Sequence, residues 1–112
     1  MTVYELIQAY TGADDATMMR LMATCDRIDN RACLTARPWG EAMPAALELV
    51  KAGVPLEEII DHHLDAAEDV AGALHCTLAD AALLVAQASH AFRLDASSIQ
   101  LLPSFVKQVK GT

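Results

Sequence analysis

Six carboxylates on one short stretch are the side chains of this chain best placed to do chemistry. Glu57, Glu58, Asp61, Asp65, Glu68 and Asp69 lie between Leu56 and Leu74. Wound as a helix at about 100° per residue, they fall within a sector of about 120°. Leu56, Ile59, Ile60, Leu64, Ala67, Val70, Ala71 and Leu74 take the other side. No Lys or Arg stands at i+4 to relieve the repulsion. Glu57–Asp61, Asp61–Asp65 and Asp65–Asp69 are like-charge pairs at that spacing, each costing a few tenths of a kcal/mol.

Three chemistries suit such a stripe. It can be a solvated face that keeps an alanine-rich domain in solution. It can steer and receive a basic partner surface by imitating the charge of a nucleic-acid backbone. It can also hold a metal, since His62, Asp65 and Asp69 share one edge and His75 lies in line with Glu68 and Asp61. The Glu-x-x-His pair of carboxylate bundle sites is missing from the stretch. The expectation is therefore no metal ligand, no cofactor, and a partner-binding surface made of the six carboxylates.

Other reactive residue types are set less favourably. His63 falls in the middle of the apolar side, where a histidine is expected to be a core residue bonded to a backbone carbonyl and able to make stability pH-dependent. Cys25, Cys33 and Cys76 are odd in number and include no C-x-x-C pair, so neither a disulfide framework nor a zinc knuckle is indicated. His75 and Cys76 are neighbours, but adjacent helical residues point about 100° apart and do not form a nucleophile–base pair. Gly-rich phosphate loops and the G-x-S-x-G, H-E-x-x-H and EF-hand spacings are absent from the sequence, and no enzyme is expected. Arg20, Arg27 and Arg31 fall together on one side of a second stretch, either as its wet face or as a receiver for an anionic partner. Trp39, in the break Arg37-Pro38-Trp39-Gly40, is expected either to close one end of the core or to act as a partner hot spot.

These residues need helices to position them. Thr2 and Glu5 form a capping box before Val3, Leu6, Ile7 and Tyr10, and Gly12 stops a first helix over about residues 3–11. Asp14 or Asp15 caps a second helix that buries Met18, Leu21, Met22, Cys25, Ile28 and Ala32 and fades near residues 34–36. Met43-Pro44 opens a third, ended by Gly53, and Val54-Pro55 opens the acidic helix. Thr77 caps Leu78–Phe92, a fifteen-residue stretch that is apolar almost all round and so reads as a buried helix. It is too short for a membrane span, which takes about 20 apolar residues. Beyond it, Asp95 caps an apolar stretch that Pro103 splits in two. The expected fold is one all-α domain over residues 1–112, a bundle of five or six short helices around a central helix at about 78–92.

Charge narrows the partners. The chain has 112 residues and a net charge of −7. Residues 54–92 contain seven acids and no Lys or Arg, which argues against direct nucleic-acid binding there. The N-terminus lacks a basic region followed by an apolar block, so no secretory signal and no membrane association are expected. A cytoplasmic setting follows, in the protein's own cell or in a host. Together these features point to a non-enzymatic protein-binding module: a small acidic regulator or inhibitor, of the phage-borne anti-CRISPR type, that occupies a basic nucleic-acid-binding surface of its target. Two alternatives stand beside it. One is a dimeric helix-turn-helix DNA-binding regulator whose second helix is Ala96–Gln100. The other is a homo-oligomeric structural protein in which the acidic stripe of one subunit meets Arg20, Arg27 and Arg31 of another.

Overall fold

The computed structural model describes residues 1–32, 40–93, 96–99 and 101–111. These are helical throughout apart from turns, as an all-α reading requires. In chain order the helices are α1 (Val3–Thr11), α2 (Asp15–Ala32), α3 (Ala42–Lys51), the acidic helix Leu56–Leu74, α6 (Leu78–Phe92), α7 (Ala96–Ile99) and α8 (Leu102–Gly111). The acidic helix has three parts: a first turn α4 (Leu56–Glu58), a π-helical segment (Ile59–His63), and α5 (Leu64–Leu74).

Local chemistry sets the ends. Thr2 Oγ1 accepts from the Glu5 N–H at 3.2 Å, and Gly12 closes α1 at φ 66°. Asp14 Oδ1 accepts from the Thr17 N–H at 2.8 Å, placing a carboxylate at the start of α2, where the helix dipole favours it. That hydrogen bond holds the Asp14 carboxyl below its ordinary pKa. Thr77 Oγ1 accepts from the Asp80 N–H at 3.1 Å to cap α6. α3 begins at Ala42, one residue before the expected Met43-Pro44 start.

Two helices borrow their caps from elsewhere. Glu41 precedes α3 in the αR region and makes no side-chain cap. Asp29 of α2, only 4 % exposed, supplies it by accepting from the Ala42 N–H at 3.2 Å. Glu41 in turn reaches the start of α6, where its Oε2 accepts from the Leu78 N–H at 3.0 Å. At the far end of α3, His90 donates from Nε2 to the Ala52 carbonyl at 3.0 Å. Side chains distant in sequence thus fix how α2, α3 and α6 meet.

The core forms where these helices converge. α6 packs chiefly on α3 and α5, α1 lies on α3, and α8 lies on α5. α3 buries Ala42, Ala45 and Ala46, and α6 buries Ala81, Ala82 and Ala86. Such small side chains let helix axes approach closely. Larger groups fill the remainder: Ile7, Met18, Leu21, Ile28, Leu49, Ile59, Leu64, Leu78 and Val85 are all fully buried, each contributing about 1.5–3 kcal/mol relative to exposure.

Central as it is, α6 is not enclosed. Leu78, Ala81, Ala82, Val85 and Ala86 face the core, while Asp80, Leu83, Leu84, Gln87, His90 and Ala91 face outward. The near-complete apolar circumference overstates its burial. The acidic helix and α6 meet at a bend of 113°, which leaves one side of α6 open. Among the described residues no single helix is long and apolar enough to cross a membrane.

Candidate functional site: the ion-pair seam and the open side of α6

The acidic stripe forms as its spacing requires, but it is not left to solvent alone. Arg20 Nη1 donates to Glu57 Oε2 at 2.8 Å, and its Nη2 reaches Asp61 Oδ1 at 3.4 Å. Arg27 Nη2 sits 3.1 and 3.3 Å from the two oxygens of Asp65. Arg31 bonds Asp65 Oδ1 at 3.3 Å and Glu68 Oε2, through Nε, at 3.2 Å; its Nη2 also meets Glu68 Oε1. Two stripes expected to look outward, or to join different subunits, close on each other within one chain. The repulsion among the carboxylates is relieved by another helix, not by i+4 lysines.

The physical reason is matched spacing. Arg20, Arg27 and Arg31 advance along α2 by seven and four residues, and their partners advance along the acidic helix by similar steps. That complementarity was present in the sequence, and comparing the two stripes side by side would have exposed it. Hydrogen bonding to Glu57 raises the pKa of Arg20, and hydrogen bonding to Glu68 raises that of Arg31, so both cations are held more firmly charged. Burial is uneven along the seam: the Glu57 side chain is 59 % exposed and that of Glu68 only 14 %. An open groove of about 380 Å³ runs beside it, lined by Arg20, Ala23, Thr24, Arg27, Ile60, Asp61 and Asp65.

The remaining expected site residues are dispersed. Glu58 is half-buried, and its carbonyl receives His63 Nδ1 at 3.2 Å. Asp69 is exposed. Trp39 and Cys33 lie outside the described residues. Among the described residues, no group of three or more His, Cys, Asp or Glu is arranged to hold a metal ion. Of the four carboxylates on the two candidate metal edges, Asp61, Asp65 and Glu68 are instead engaged by guanidinium groups, and Asp69 faces solvent.

His63 and Cys25 are core groups. His63 is 2 % exposed, as its place on the apolar side demands. Burial lowers its pKa, against the opposing pull of the Glu58 carbonyl. Burial also pushes the Cys25 thiol up to about 12, with Asp29 and Asp26 adding to the effect. Cys76, half-buried, is raised for the same reason. A thiol held protonated is a poor nucleophile.

What sequence reasoning missed is the outer side of α6. There Leu83 is 41 % exposed and Leu84 44 %; Phe92, 70 % exposed at the last turn, falls on the opposite side, in line with Leu78 and Val85. Ala96–Ile99, the described part of the stretch offered as a recognition helix, is helical; Gln100 lies outside the described residues. Compared with protein-family models, with curated proteins and with solved structures, the chain matches none.

Proposed function

We propose that the protein is a non-catalytic binding module that docks another protein through the open side of α6. The observation that carries this reading is the pair of large apolar side chains, Leu83 and Leu84, displayed outward by the helix on which the bundle is assembled. Exposed apolar residues grouped on one element mark interaction surfaces more often than scattered ones do. Burial raises the pKa of both Cys25 and Cys76, which disfavours these two thiols as nucleophiles. Affinity capture from lysate tests it. Wild-type protein retains a partner, and a variant carrying Leu83→Glu and Leu84→Glu with an unchanged helical spectrum loses it. Undiminished capture by that variant removes α6 as the docking surface.

The seam supports a second reading: a small acidic regulator or inhibitor that occupies a basic, nucleic-acid-binding surface of its target. Glu57 and Asp61 remain more than half exposed while paired, and exposed ion pairs exchange at little cost. A basic partner would then take the place of Arg20. Reversing Asp61 and Asp65 to lysine is a poor probe of this, because it sets like charges against Arg20, Arg27 and Arg31. Asp69→Lys avoids the seam; loss of capture by that variant, with Leu83→Glu plus Leu84→Glu harmless, selects the acidic surface.

A further inference from the structure

The acidic helix and α2 meet in two series of charges that do not match in number. Glu57, Asp61, Asp65 and Glu68 advance in steps of four, four and three residues. Arg20, Arg27 and Arg31 cover the same span of eleven residues in steps of seven and four. One member of the arginine series is missing, and its step falls at Ala23 or Thr24, opposite Asp61. Ala23, Thr24 and Asp61 all line the groove of about 380 Å³. The groove is thus the room that a fourth arginine side chain would fill. Charge agrees with shape. Arg27 and Arg31 answer Asp65 and Glu68, two against two. Arg20 alone answers both Glu57, at 2.8 Å, and Asp61, at 3.4 Å. Among the described residues, that end of the seam keeps one negative charge in excess.

We propose that this groove receives an arginine side chain from the surface of a partner protein. The proposal rests on the reading of the seam as the surface that meets a basic partner, and names the contact. The incoming guanidinium takes Asp61 over from Arg20, which keeps Glu57. A guanidinium and a carboxylate match as a two-point fork. The methylene stem lies along Ala23 and Ile60, which line the groove, while the charged head stays near water. Arg20 and Arg27 flank the missing position, but each is bound to a carboxylate of its own, so the entering cation meets Asp61 as the charge left over. A planar, weakly hydrated guanidinium suits a place between two others of its kind better than an ammonium does. Asp61 is 53 % exposed, so a single contact of this sort is weak. Its use is to set the register and orientation of a larger basic surface.

Titration of the full chain with N-acetyl-arginine amide at millimolar concentration and low salt, followed by amide NMR shifts, tests it. The shifts are expected at Ala23, Thr24, Ile60, Asp61 and their neighbours. The neutral analogue N-acetyl-citrulline amide leaves these signals unmoved. Asp61→Asn weakens the binding about tenfold or more. Thr24→Arg, which supplies the missing cation from α2 itself, abolishes it. Asp69→Asn, at an exposed carboxylate outside the seam, leaves it unchanged. Circular dichroism confirms that each variant is folded. Shifts spread evenly over all the acidic residues, an equal response to the citrulline compound, or binding undiminished in Asp61→Asn or Thr24→Arg overturns the proposal. No binding of the arginine compound, with lysate capture still lost in Asp69→Lys, overturns the groove alone and leaves the acidic surface as the docking site. Specific binding of the compound, with capture unimpaired in both Thr24→Arg and Asp69→Lys, overturns the partner protein: the occupant is then a free organic cation, and the basic-partner reading falls with it.

Discussion

Replacing Asp29 by asparagine and by alanine separates the value of its hydrogen bonds from the cost of its charge. The carboxylate is 4 % exposed and caps α3 from α2, accepting from the Ala42 N–H at 3.2 Å. Alanine removes the acceptor and leaves buried N–H groups at the start of α3 without a partner. The loss is about 1–3 kcal/mol, or roughly 4–12 °C in Tm for a domain of this size. Asparagine keeps an oxygen in the same place and discards the charge. Burial pushes the Asp29 carboxyl above its ordinary pKa, although hydrogen bonds from Ala42 and Gly40 pull the other way. A carboxyl with a raised folded-state pKa binds its proton more tightly in the fold. Its contribution to stability therefore falls as pH rises through the unfolded value of about 3.9, until the folded-state pKa is passed. At pH 7, Asp29→Asn is accordingly as stable as wild type or more so, and near pH 4 wild type recovers the difference. Urea unfolding at both pH values, comparing the two chains, cancels other titrating groups. If asparagine is as damaging as alanine at pH 7, charge and not acceptor geometry holds α3 in place, and the reasoning fails.

The seam should respond unequally along its length. Arg31→Ala, which strips Glu68 and Asp65 of a partner, costs at most about 1 kcal/mol; Arg20→Ala at the exposed end costs less, and both effects shrink in high salt when followed by thermal unfolding. Ala82→Leu overpacks the inner side of α6 and costs about 1–3 kcal/mol, measured in urea. Because burial lowers the pKa of His63, its neutral form is the folded one. Wild-type stability is then complete above about pH 6.5 and declines on acidification, and His63→Gln flattens that part of the pH profile. Cys25, with its thiol pushed up to about 12, reacts with thiol reagents only after unfolding; labelling of the native chain followed by peptide mapping reads this directly.

Much of the fold was legible because its signals are local. Thr2, Gly12, Asp14, Gly53 and Thr77 act within one turn of the backbone they cap. Most of the face buried by the acidic helix follows from period, His63 included, but Leu74, placed on that face, is exposed at the last turn. Less legible were features that depend on distant partners. Met22 shares a helical side with Met18 and Leu21 yet is 43 % exposed, because no helix among the described residues covers it. Leu83 and Leu84 raise the apolar character of α6 without being buried, since hydropathy records what a side chain prefers and not what packs upon it. The candidate site was read in halves. Each charged stripe was visible, but a single helix's periodicity cannot show that two stripes face each other.

One residue more than an α-helix allows is wound into the segment Ile59–His63, and the wider turn takes it up. Were the chain one residue shorter there, the segment could relax to ordinary winding without turning α5 relative to α4. Leu64 would keep its place in the interior, and Glu68 its place before Arg31. Insertions and deletions are usually tolerated in loops; here the tolerant spot lies inside a helix. The wide turn acts as slack between the end of the acidic helix that answers Arg20 and the end that answers Arg31.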